Sequence, residues 1–262
     1  MVNSGSVVEF ARAIRPAIFK NSVSGPLATP EAEAASAEAL LAEAALGETS
    51  LQEGLPRQEP PAEALSDRAG GELSRIQRRL EQIYQLEPGP CIVPFVCVDS
   101  DERREQLIVR QSSEALELVV MLPGASLKAL IEGDASDEMD AYLGAVEGIS
   151  HFIHIAERVR TQLPTTLLEL ELQAEVDKFA ILADGSQHAD ELPELHRRLY
   201  ENVRYLHSAR SEQGERYRLA NDLAAKLWSS LIAQGQSDRT QLVLRRFYRA
   251  SQAEKIRMVR AA

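Results

Sequence analysis

Residues 147–159 read EGISHFIHIAERV and place two of the five histidines, His151 and His154, beside Glu147 among strong hydrophobics. On a helix, Glu147, His151 and His154 are spaced i, i+4 and i+7 and share one face. The next predicted helix carries Glu171 and Glu175 at i, i+4. A short turn through Pro164 joins the two helices, which predicts antiparallel packing. The expected site is therefore Glu147, His151, His154, Glu171 and Glu175, a carboxylate–histidine set between helices. Neutral imidazole with carboxylate is the ligand set of zinc, iron or manganese, so a divalent metal is the cofactor to look for. The pattern differs from the paired Glu-x-x-His of di-iron bundles and from His-Glu-x-x-His. The competing reading is a set of polar side chains hydrogen-bonded at a helix interface.

A second polar cluster comprises His188, Asp190, Glu191, Glu194 and His196. Asp190 is placed to cap a helix, and its acidic neighbours suit the helix dipole. A metal role for His188 with Glu191 is the lesser alternative. The third segment is basic. Residues 239–262 hold seven basic side chains against Glu254, with Phe247 and Tyr248 interleaved. Arg245, Arg246, Phe247, Tyr248, Arg249, Lys255 and Arg257 are the candidate partner-binding residues. Basic side chains with aromatics take RNA, single-stranded DNA or an acidic protein. The net charge of −11 favours the protein over nucleic acid, because phosphate neutralisation needs a basic footprint. The remaining reading is a solvated basic face or one paired with the acidic parts of the chain.

The elements that must position these residues follow from periodicity. Leu73, Ile76, Leu80 and Ile83 predict a helix that Pro88 and Gly89 stop. Residues 91–100 (CIVPFVCVDS), 105–111 (EQLIVRQ) and 115–124 (ALELVVMLPG) predict three strands of a small antiparallel sheet, with Pro94 marking an edge or a bulge. If residues 91–100 are a strand, Cys91 and Cys97 point to one face as buried, reduced thiols. A short helix is expected over 125–132 and a long one over 137–161, with Met139, Leu143, Val146, Ile149, Ile153, Ala156 and Val159 in the core. Thr166-x-x-Glu169 is a capping box opening a helix to about Ala183. Residues 168–177 strictly alternate apolar and polar, which is a strand signal, but the cap and the length favour helix. Helices over 190–209, 212–233 and 238–250, then a turn at 253–260, complete the chain.

The fold class is therefore α+β and predominantly helical, with the small sheet (about 91–122) packed on a multi-helix bundle behind a disordered N-terminal segment. Residues 1–24 form a short tail with an amphipathic stretch. Residues 25–71 form an acidic Ala/Glu/Pro-rich linker, with ten acidic side chains against Arg57 and Arg68 from Glu31 to Glu72. Such a composition buries too little apolar surface to offset ordering entropy. Residues 72–262 form one globular domain. No signal peptide is expected, and no run of about 18 apolar residues is present. Together with two unpaired cysteines, this suggests a cytoplasmic protein. There is no G-x-G-x-x-G, Walker A, G-x-S-x-G or kinase signature. The first functional expectation is a non-enzymatic adaptor or regulator that binds a protein partner through its helical domain and charged tails. The alternative is a metal-dependent enzyme or metal-binding helical protein. Whether the chain is an enzyme is left open.

Overall fold

The computed structural model of the chain describes residues 65–99, 105–111, 116–132, 139–185, 189–201, 203–235 and 238–261. The tail at 1–24 and most of the linker lie outside these residues. The first helix, α1, spans Asp67–Tyr84, with Ser66 as its N-cap accepting from the Ala69 amide. The expected linker thus ends some residues early, and Gly70 and Gly71 lie inside a helix rather than breaking one. The other end also differs from expectation. Gln85 adopts a left-handed conformation (φ 49°) and the Leu86 amide donates to Glu81 O, a backbone closure that stops the helix before Pro88.

A 3-10 turn at Val93–Phe95 follows, then β1 (Val96–Asp99), β2 (Gln106–Gln111) and β3 (Leu116–Pro123). The strand order is β1-β3-β2. β2 pairs antiparallel with β3, as expected, but β1 pairs parallel with it, Val96 opposite Val120. The sheet is mixed because β3, the most apolar strand, takes the centre and uses both of its edges. Its Leu118, Val120 and Leu122 are buried. Pro94 sits in the 3-10 turn, so residues 91–95 are not strand. Cys91 is accordingly exposed and Cys97 half-buried, and the two do not share a buried face.

The remainder is helical: α2 (Gly124–Glu132), α3 (Met139–Thr161), α4 (Leu167–Gly185), a 3-10 turn at Ala189–Glu191, α5 (Leu192–Tyr200), α6 (Glu212–Ala233), α7 (Asp238–Arg249) and α8 (Gln252–Ala261). The helix expected over 190–209 ends at Tyr200, whose carbonyl accepts from Asn221 Nδ2 on α6. The turn expected at 253–260 is a full helix. α4 is central, packed on α3 and α6, and α3 also carries α2 and the sheet. Gly148 lets β3 approach α3 closely, since a Cβ there would lie 3.1 Å from Leu122 and 3.2 Å from Val120. Gly214 is needed where the loop before α6 crosses it: a Cβ would meet Ser208 O at 1.9 Å. Phe179 of α4 stacks on Trp228 of α6 with ring centroids 4.3 Å apart. No helix among the described residues is long and apolar enough to cross a membrane.

The capping box at the start of α4 forms in both directions. The Glu169 amide donates to Thr166 Oγ1 (3.1 Å) and the Thr166 amide to Glu169 Oε2 (3.2 Å). The strand-like alternation after it has a helical explanation. Every second residue on a helix turns by about 200°, so alternating polar residues fall on opposite sides. Glu169, Gln173 and Asp177 form one row; Glu171, Glu175 and Lys178 form the other. Neighbours pack on both sides, so both rows are wholly or largely buried.

Candidate functional site

α3 and α4 run antiparallel, pairing Glu147 with Lys178, Ser150 with Asp177 and Arg158 with Glu169. Two polar groups result. The first contains Glu147, His151, Glu171 and Glu175 from the expected site. The ligand atoms of Glu147, His151 and Glu171 all lie within 4.8 Å of one another. His151 Nε2 is 3.9 Å from Glu171 Oε2 and makes no hydrogen bond, although solvent does not reach it. Two cations absent from the sequence reading complete the group. Lys178 Nζ lies 2.5 Å from Glu147 Oε2 and 2.8 Å from Glu175 Oε1, and Arg216 Nε of α6 is 3.8 Å from Glu171 Oε1. Lys178 was readable in principle, because it stands i+7 from Glu171 on the same row. Arg216 was not, because it arrives from another helix.

Burial, with a smaller contribution from the Lys178 ammonium, lowers the His151 pKa against the pull of Glu147, which keeps the imidazole neutral. Burial first, and Glu147 second, push the Glu171 carboxyl up. Burial works against the Lys178 ammonium, yet Glu147 and Glu175 carry its pKa well above the ordinary lysine value.

His154 does not join this group. At 1.5 Å rise per residue it sits about 10 Å along the axis from Glu147, and it belongs to the neighbouring row Ser150–His154–Arg158. There it accepts from Arg158 Nε at 3.3 Å and meets the Tyr248 ring edge-on. This second group is fully buried. Asp177 accepts from Ser150 Oγ (2.6 Å), Gln173 Nε2 (2.8 Å) and the Tyr84 hydroxyl. Lys255 Nζ donates to Gln173 Oε1 at 2.9 Å, and Arg158 donates to Glu169 and to Ala250 O. Burial lowers the Lys255 pKa to about 7 and raises that of Asp177 to about 6.

The other expected sites fare differently. In the basic C-terminal segment, Phe247, Tyr248 and Lys255 are core residues, because the apolar stripe of α7 and α8 closes the domain. Arg245 donates to Ile83 O and Arg249 to Gln85 O, which fastens α7 to the end of α1. Arg246 and Arg257 are exposed. In the 188–196 cluster, His188 lies outside the described residues. Glu191, not Asp190, takes the N-cap position, without a side-chain cap bond. Glu194 pairs with Arg197, and His196 Nε2 bonds Ala225 O.

The comparisons with known proteins give no match: no family model, no curated protein and no solved structure is similar to this chain.

Proposed function

We propose that this protein binds a divalent metal ion through Glu147, His151 and Glu171, as the centre of metal-dependent chemistry. The observation that carries the reading is the convergence of two carboxylates and one neutral imidazole within 4.8 Å, with His151 Nε2 left without a partner in a place water does not reach. Buried polar nitrogens are rarely left so, and an imidazole with carboxylates suits zinc, manganese or iron. Ligand bonds of about 2.0–2.2 Å require the three side chains to draw together.

The adaptor reading loses weight by comparison. Its aromatic anchors, Phe247 and Tyr248, are buried within the domain, and aromatic side chains are what usually dominate an interface.

The test is calorimetric titration of the tag-free chain with Mn²⁺ and with Zn²⁺, beside the His151→Ala variant. One saturable equivalent is expected, weakened at least tenfold in the variant. No saturable binding, or equal affinity in the variant, would refute the assignment.

A further inference from the structure

A separate cavity of about 410 Å³ lies between α1, the loop at 86–90 and α3, within the roughly 300–1,000 Å³ usual for small-molecule sites. Its α3 residues Phe152, Ala156 and Arg160 fall roughly opposite Glu147 and His151 around the helix, at about 100° per residue. It shares no residue with the carboxylate–histidine group. Leu86, Pro88, Phe152, Ile153 and Val159 make its wall mainly apolar.

Glu81 breaks that wall. It lines the cavity, yet only 9% of it is exposed. Its Oε1 accepts from Gln77 Nε2 at 2.9 Å and from the Gly89 amide at 3.2 Å. Gln77 is itself fixed, donating to Pro90 O and accepting from the Ile92 amide. Among the described residues, Oε2 has no hydrogen-bond partner and no cation lies within ion-pair distance of Glu81. The cation in the lining is committed elsewhere: Arg160 donates to both oxygens of Glu157, at 2.7 and 2.8 Å. Two neutral donors therefore orient the Glu81 carboxylate without supplying a counter-charge. Burying a carboxylate in that state is costly, and a cationic ligand would offset the cost. The lining as a whole carries Glu81, Glu87 and Glu157 against Arg160, so it also repels anions.

We propose that this cavity binds a small organic cation, a primary ammonium on a hydrocarbon or aromatic body, with Glu81 as its counter-ion. The ammonium donates to Glu81 Oε2, a charge-assisted hydrogen bond, and the body packs on the apolar wall. A bare alkali cation gains nothing from that wall. The site does not depend on the metal reading above.

The experiment titrates the full chain calorimetrically at neutral pH with 2-phenylethylamine. Separate arms use 2-phenylethanol, 3-phenylpropionate and N-acetyl-lysine methylamide, the last standing for a lysine side chain of a protein partner. The amine should bind saturably, at least tenfold more tightly than each control, and should shift the Gly89 amide resonance in a ¹H–¹⁵N spectrum. Glu81→Gln keeps a carbonyl to accept from Gln77 and Gly89; it should lose tenfold or more for the amine and little for the alcohol. Ala156→Phe fills the cavity without touching the carboxylate and should weaken both by tenfold or more. No saturable amine binding, equal binding of the alcohol or the carboxylate, an unmoved Gly89 amide, or an unaffected variant of either kind would each overturn the proposal. Tighter binding of the lysine derivative would overturn it in favour of a protein partner. Each of these failures leaves the metal reading standing, because Mn²⁺ titration reports on different residues.

Discussion

Replacing Lys255 by methionine isolates the cost of an amine in the core. Lys255 is fully buried, donates to Gln173 Oε1 at 2.9 Å and lies 5.2 Å from the centre of the Phe247 ring. Burial dominates its titration; Glu169 and Asp177 support the charge, Arg158 opposes it, and the pKa falls to about 7. An unfolded lysine titrates near about 10.4. Between these values the unfolded chain holds a proton that the folded protein has largely released, so stability rises with pH. From pH 7 to pH 9 the gain is about 2 kcal/mol, and at pH 7 the whole cost of the buried amine is on the order of 4 kcal/mol. Methionine keeps the stem and removes the amine. It leaves Gln173 Oε1 without that donor, at about 1–3 kcal/mol. The Lys255→Met variant should therefore be more stable than the parent by about 1–3 kcal/mol at pH 7, and that advantage should shrink by about 2 kcal/mol at pH 9. Urea unfolding followed by circular dichroism at both pH values measures the difference. A parent–variant difference that does not change with pH would refute the reasoning, because Lys255 would then titrate as an exposed lysine and α8 would not be seated with its amine in the core.

Two further substitutions probe the polar groups between α3 and α4. Arg158→Met leaves Glu169 buried without its cation and should cost about 3–5 kcal/mol. Adding Glu169→Gln, which retains the carbonyl that accepts from the Thr166 amide, should recover part of that loss; no recovery in urea unfolding would show that the pair is not coupled. Lys178→Gln removes the cation competing for Glu147 and should tighten Mn²⁺ binding about tenfold, roughly the effect of one ion pair worth 1.4 kcal/mol. Weaker calorimetric binding in that variant would mean that Lys178 supports the site rather than competes with it.

The elements that the residues announce by themselves are those closed by local interactions. The Thr166–Glu169 box sets the start of α4 because both of its bonds join residues three apart, and the apolar spacing of Leu73, Ile76 and Leu80 marks the buried face of α1. The pairing of Glu147 and His151 with Glu171 was legible for the same reason: helix periodicity and a short turn leave little choice. What depended on distant segments was not. The parallel β1–β3 pairing follows from competition among strands for the most apolar partner. The arrival of Arg216 follows from α6 packing on α4, whereas the separation of His154 from Glu147 is already set by helix rise. The basic C-terminus reads as a surface by composition, yet burial of Phe247, Tyr248 and Lys255 depends on α7 and α8 finding α1 and α4. The sequence by itself determined the helical class, the Thr166–Glu169 cap and the carboxylate and imidazole side chains offered on the facing sides of α3 and α4. The tertiary structure alone decided which ligands converge, which charges they meet and which basic residues become core, because each of those is set by contacts between residues far apart in the chain.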